Sequence, residues 1–185
     1  MKFLFDLGGV FFDWDPSFFY KSVFKSSKDM NYFLENVCNQ EWNLKQDAGR
    51  KIKDAEEELI KKFPNYSDKI LMYYSNHRKM IKGTFHQSIN EFLKLKSLNY
   101  ECFVLSNWSA ETFLGMDDEY EFLKKFDGIL ISGNEKLIKP NKLFFKIAIK
   151  RFNLTPNETV FIDDNFKNIT AGEELGFKTI YLQNP

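Results

Sequence analysis

Asp6 ends the short, mostly apolar run Lys2-Phe3-Leu4-Phe5 and is followed at once by Leu7-Gly8-Gly9. A run of that length bounded by glycines reads as a strand buried on both faces. An unpaired ionised carboxylate there would be costly, so a turn cap, a salt bridge or a reactive role must reward it. Three more polar groups follow apolar runs in the same way. Ser106-Asn107 comes after Cys102-Phe103-Val104-Leu105, Lys139-Pro140 lies beyond Gly128-Ile129-Leu130-Ile131, and Asp163-Asp164-Asn165 follows Thr159-Val160-Phe161-Ile162.

Taken singly, Ser106 suits a helix N-cap and Lys139 a surface charge. A capping role needs only one carboxylate, however, and Asp163-Asp164 supplies two. In open parallel sheets ligands bind beyond the carboxyl ends of the strands, so these groups are expected to converge on one crevice. Asp163 and Asp164 near Asp6 would repel one another unless a cation compensates. Oxygen-only ligands select Mg²⁺ over a softer ion.

The elements that must position these groups alternate from residue 84 onward. Helical spacing is expected over Ser88 to Leu98, Phe113 to Phe126, Leu143 to Phe152 and Lys167 to Leu175, the last closed by Gly176. The apolar runs between them, with the opening run and a final one over Lys178 to Leu182, predict five strands separated by helices. The fold class is therefore α/β: a Rossmann-like parallel five-stranded sheet with helices on both faces. Between Val10 and about Thr84 no strong strand run is found, only apolar stripes at helical spacing such as Phe18, Phe19, Val23 and Phe24. About seventy residues is too long for a structureless loop. Residues 16–81 are expected to form an inserted helical domain, with 1–15 and 82–185 as the core.

Composition bounds the partners. The 185 residues are 43% hydrophobic and 17% aromatic, with 21 Phe, which excludes disorder. Balanced charge, 26 Lys and Arg against 26 Asp and Glu, lacks the basic footprint of a nucleic-acid binder. Cys38 and Cys102 imply no disulfide framework, and His77 and His86 have no close Cys partners for zinc. No apolar stretch approaches a membrane span, no leader is evident, and a cytoplasmic location is the default expectation.

Phe5-Asp6-Leu7-Gly8-Gly9-Val10, Leu105-Ser106-Asn107, Lys139-Pro140 and Phe161-Ile162-Asp163-Asp164-Asn165, in this order, resemble the four motifs of the haloacid-dehalogenase-like hydrolase superfamily. The likeness spans nearly the whole chain, and the insert resembles the helical cap of that superfamily's phosphatase branch. It is greatest to bacterial sugar-phosphate phosphatases whose first motif also reads Asp-Leu-Gly. The resemblance implies that Asp6 attacks a phosphoryl group and forms an aspartyl-phosphate, later hydrolysed. It implies Mg²⁺ held by Asp6, the Gly8 carbonyl and Asp164, with Asp163 a ligand or a neighbour of one. Ser106, the Asn107 main chain and Lys139 would hold the phosphoryl oxygens of a small phosphorylated metabolite, such as a hexose 1-phosphate.

One position departs from the superfamily's pattern. Most of its phosphatases carry a second Asp two residues after the nucleophile as general acid and base, where this chain has Gly8. Losing that group typically costs ~10²- to 10⁴-fold in rate, which favours an acidic leaving group. Asp13 or Asp15 could supply the proton, although before Pro16 they also suit hinge and turn positions. Trp42, Asn43, Asp47 and Arg50 are candidate specificity positions. Their ordinary alternatives are cap core for Trp42, a turn for Asp47 with Gly49, and a surface charge for Arg50. Two other functions are compatible with the motifs: a metal-free dehalogenase using Asp6, for which Asp163-Asp164 has no use, and a silent relative that only binds phosphate.

Overall fold

The computed structural model describes residues 1–185. Its strands are β1 (Lys2–Phe5), β2 (Phe12–Trp14), β3 (Ile81–Thr84), β4 (Glu101–Ser106), β5 (Gly128–Ile131), β6 (Thr159–Asp163) and β7 (Lys178–Tyr181). The helices are α1 (Pro16–Tyr20), α2 (Ser27–Asn36), α3 (Gln40–Asp47), α4 (Ile52–Lys62), α5 (Ser67–Ser75), α6 (His86–Ser97), α7 (Ala110–Phe113), α8 (Met116–Glu119), α9 (Ser132–Glu135), α10 (Lys142–Arg151) and α11 (Phe166–Glu173). Five strands form one parallel sheet in the order β5-β4-β1-β6-β7, the α/β Rossmann-like arrangement expected. None of the helices is long and apolar enough to cross a membrane.

Strand periodicity explains why β1 lies at the centre. Its alternate residues point to opposite faces, and both faces are apolar. Phe3 and Phe5 join Cys102, Val104 and Ile162 on one side, while Leu4 joins Phe103, Leu105 and Phe161 on the other. The first side is packed with phenylalanine. Phe92 of α6 stacks on Phe126 with ring centroids 4.1 Å apart, and Phe11 meets Phe5, Phe92 and Phe122. Cys102 is a buried free thiol in this layer.

The helices α1 to α5 pack around a separate aromatic core containing Tyr20, Phe33, Trp42 and Tyr73. Side-chain caps start three of them: Asp15 accepts from the Ser17 N–H, Ser26 from Lys28 and Asp29, and Asn39 from Trp42. Two features of the chain differ from expectation. β2 and β3, absent from the sequence reading, form an antiparallel ribbon at the two crossings between the helices and the sheet, with Phe12 opposite Thr84 and Trp14 opposite Ile81. Each is too short for a period-two pattern to stand out. The helix expected over Phe113 to Phe126 is also broken, into α7, α8 and a 3-10 turn at Glu121–Lys125, because Gly115 adopts a left-handed conformation with φ 78°.

The Phe92 ring is fully buried against the rings of Phe5, Phe11 and Phe126, so Phe92→Ala should cost about 3–5 kcal/mol. Urea denaturation of the variant checks this value; a loss below about 1 kcal/mol would mean that the phenylalanine layer collapses around the gap.

Candidate active site

Parallel register brings the polar groups together. Phe5 pairs with Val104 on one side and Ile162 on the other, so the next residue, Asp6, emerges level with Asp163 and just short of Ser106. Its backbone N–H donates to the Ile162 carbonyl at 2.9 Å, extending the ladder by one residue. The chain then turns sharply: the backbone N–H groups of Val10, Phe11 and Phe12 all donate to the Leu7 carbonyl. Gly9, at φ 67°, lies so close to Asp164 that a Cβ would stand 2.1 Å from its Oδ2. No other residue suits that position.

Asp6 accepts hydrogen bonds at Oδ1 from the Ser106 hydroxyl at 2.6 Å and from the Leu7 N–H at 2.7 Å. Ser106 is thus directed at the carboxylate rather than serving as an N-cap. Lys139 is only 2% exposed. Its ammonium sits 2.8 Å from Asp6 Oδ2 and 2.7 Å from Asp163 Oδ2, which excludes the surface-charge alternative. The Asn107 side chain fixes the lysine from behind, accepting from its backbone N–H at 2.8 Å and donating to its carbonyl at 3.0 Å.

Asp163 is held on several sides. The Asn165 N–H donates to Oδ1, and the Asn168 side-chain amide reaches both oxygens at 3.0 and 3.1 Å. Asp164, by contrast, lies exposed at the rim. An oxygen from each of Asp6, Asp163 and Asp164 lies within 4.8 Å of the others. Three carboxylates therefore face one ammonium, and an all-oxygen set of that charge suits a hard divalent cation.

The electrostatics follow from burial. Desolvation pushes Asp6 up to about 7, with Asp163 adding to the rise and Lys139 opposing it. Burial alone would lower Lys139, but the charges of Asp163 and Asp6 outweigh it and hold the ammonium above its usual range. Asp164 is also raised, by desolvation and then by Asp163.

Across the crevice stand residues of the helical half. A cavity of about 80 Å³ is lined by Gly8, Trp14, Asn43, Asp47, His77, Asn107 and Trp108. A larger one of about 500 Å³ contains Asp6, Gly8, Asp13, Asp15, Asn43, Asp47 and Asp164. Trp42 lies in the helical core, its ordinary alternative. Asp47 does stand where the chain turns through left-handed Gly49, but its side chain is buried, and Arg50 is not the surface charge its alternative implies. Asp47 is buried at the end of α3, near the Ser109 backbone N–H, and takes a hydrogen bond from Asn43 at 3.2 Å; its carbonyl receives the Ser132 hydroxyl at 2.6 Å. Arg50 is half-buried and bonds Gln46 and Glu58. Asp15 caps α1, its turn alternative, whereas Asp13 lies within β2, 3.8 Å from Lys82.

Sequence reasoning missed Asn168, Ser132 and His77. Asn168 stands five residues after Asp163, one helical turn into α11, a spacing that could have flagged it. Ser132 and His77 carry no such signal, because their partners are distant in the chain. His77 is buried with its Nδ1 unpartnered, and burial lowers it to about 4.

Fold and site together define an α/β protein of Rossmann-like parallel topology with an acidic, lysine-clamped centre at the strand ends. The chain belongs to the haloacid dehalogenase-like hydrolase family, whose sequence pattern matches residues 4–182. Over 197 aligned residues it is 26% identical to a glyceraldehyde 3-phosphate phosphatase of Methanocaldococcus jannaschii, covering 94% of this chain and 84% of that one. It is 24% identical over 180 residues to drimenol cyclase drtB of Aspergillus calidoustus, covering 95% of this chain but spanning only 32% of that protein's length. Among solved structures it is similar to the family enzyme bt-2542 of Bacteroides thetaiotaomicron in complex with magnesium and inorganic phosphate. That match has a TM-score of 0.72 at 23% identity, covering 97% of this chain and 92% of the other.

Removing the Lys139 charge leaves Asp6 and Asp163 buried without their cation. In EDTA at pH 8, Lys139→Ala should lower stability by about 3–5 kcal/mol. The loss should shrink as pH falls to about 5, below the raised Asp6 value of about 7, because the protonated carboxyl no longer needs a counter-charge. Urea denaturation at both pH values checks the sign.

Proposed function

We propose that this hydrolase is a Mg²⁺-dependent phosphatase of a small phosphomonoester, a sugar phosphate such as a hexose 1-phosphate. The observation that carries it is the Lys139 ammonium shared by Asp6 and Asp163 beside a third carboxylate, Asp164. One carboxylate is then available as a nucleophile while the others manage charge. We infer a division of the chain into a core of residues 1–15 and 82–185 and a cap of 16–81 that closes over the crevice. The cavity of about 500 Å³ between the two is of a size typical for small-ligand pockets.

Asp6 Oδ attacks phosphorus in line, the ester oxygen leaves, and an aspartyl-phosphate forms. Leu7 N–H and Ser106 hold the carboxylate in orientation before attack. Ser106 Oγ, the Asn107 main chain and Lys139 Nζ then bind phosphoryl oxygens, where negative charge spreads in the transition state. Lys139 must be anchored to do this, and Asp163 with Asn107 anchors it. Asp163, its oxygens engaged by Asn165, Asn168 and Lys139, is better suited to orienting that lysine than to ligation. Asp6, the Gly8 carbonyl and Asp164 are the groups that would hold Mg²⁺. Bound there, the ion would neutralise the substrate anion and the nucleophile enough for them to meet.

A metal-free dehalogenase has no use for the carboxylates at 163 and 164, and a silent binding module none for a nucleophile clamped as Asp6 is. With p-nitrophenyl phosphate and Mg²⁺, Asp6→Asn should lose at least ~10³-fold in kcat/KM. EDTA should abolish wild-type turnover, restored by added Mg²⁺. Equal rates in wild type and variant would overturn the assignment, and chloride release from 2-chloropropionate in EDTA would replace it with a dehalogenase.

A further inference from the structure

The missing proton donor at position 8 leaves a space. A Cβ built on Gly8 would meet nothing within 4 Å, and Gly8 lines the smaller cavity together with Asp47. Asp47 comes from the opposite side, at the last turn of α3, and is the one carboxylate lining both cavities. It is held firmly. Asn43 donates to its Oδ2, and its carbonyl takes the Ser132 hydroxyl, which itself accepts the Trp108 N–H at 2.9 Å in the loop after β4. A buried carboxylate with no cation beside it has no structural reward comparable to that of Asp6 or Asp163.

We propose that Asp47 is the general acid and base of this enzyme, delivered from the cap into the space that Gly8 leaves open. The inference rests on the phosphatase assignment. In the first step Asp6 Oδ bonds to phosphorus, the P–O bond to the alcohol breaks, and the proton of the Asp47 carboxyl passes to the departing oxygen. In the second, the Asp47 carboxylate takes a proton from the water that attacks phosphorus. The bond to Asp6 breaks, inorganic phosphate leaves, and both carboxyl groups return to their starting states.

Protonation chemistry agrees with the geometry. Burial pushes Asp47 up to about 7, opposed by the Ser109 N–H and aided by the charge of Asp6, so the carboxyl can both give and take a proton near neutral pH. The other titratable group in the cavity is His77. It is lowered to about 4 by burial and then by Arg78, so it stands neutral and is the poorer acid. With a donor at Asp47, the preference for an acidic leaving group suggested by Gly8 alone loses its ground. Substrate choice then rests on the fit between cap and alcohol.

The test is leaving-group dependence. On phosphate esters running from p-nitrophenyl through phenyl phosphate to glucose 6-phosphate, Asp47→Asn should lower kcat/KM by ~10²-fold or more for the poorest leaving group and by less than ~10-fold for p-nitrophenyl phosphate. Asp47→Glu should recover part of the loss, and Gly8→Asp in the Asp47→Asn background should restore it by refilling the open space. A uniform loss across the series would make Asp47 only a cap-positioning residue, and no loss would give it no role; either overturns the proposal. His77→Gln losing activity in the same graded way while Asp47→Asn does not would also overturn it, in favour of the histidine. Asp6→Asn, run alongside, must be inert on every ester. If it is active, the phosphatase assignment itself falls, and the Asp47 proposal with it.

Discussion

The ammonium of Lys139 is the interaction on which the site depends. It is buried between two carboxylates, and each of the three groups would be expensive to bury alone. They are tolerable only as a unit, and the unit requires three segments of chain to arrive together: β1 with Asp6, β6 with Asp163, and the turn that carries Lys139. The parallel register supplies the first two. The Asn107 side chain supplies the third by pairing with both backbone polar groups of the lysine, so the end of β4 steers a residue some thirty positions away. Such a network forms well only in a rigid frame, which the two apolar layers on either side of β1 provide.

Catalysis asks for a second condition, the exclusion of water around charges that must attract one another strongly. The sheet alone leaves the crevice open above the strand ends. The α1–α5 helices cover it, and several contacts hold them there. Arg78 reaches the Thr112 and Leu114 carbonyls and Glu119, Glu111 accepts the Ile52 N–H, and Ser132 binds the Asp47 carbonyl. Most of these tie to the segment just after β4, the stretch that also carries Ser106 and Asn107. Most of the contacts that hold the helices over the crevice and the side chains of Ser106 and Asn107 thus belong to one continuous stretch of chain.

Much of this was legible from residue order. Apolar runs announced the five strands because a central parallel strand must be apolar on both faces, and the polar groups ending them announced the crevice because register aligns strand ends. Asp6, Ser106 and Asp163 stand where their spacing put them. The short ribbon of β2 and β3 was not legible, since three or four residues carry too little pattern and its pairing joins positions about seventy residues apart. The break at Gly115 shows a second limit: a single left-handed glycine outweighs a helical stripe of apolar residues.

The covering helices mark the sharper boundary. Their apolar periodicity established from sequence that they pack together, but periodicity says nothing about which polar residue of a helix end will face another unit. Asp47 read as a candidate specificity position or a turn beside Gly49, and His77 only as a poor zinc ligand, because a side chain's burial and protonation depend on what is folded against it. The sequence by itself determined that Asp6, Ser106 and Asp163 meet, since each is tied to a strand end by local order, whereas Lys139, beyond β5, is drawn in by Asn107. Only the tertiary structure decided what stands opposite Gly8, since that required two units to meet across a crevice, and no local pattern encodes the meeting.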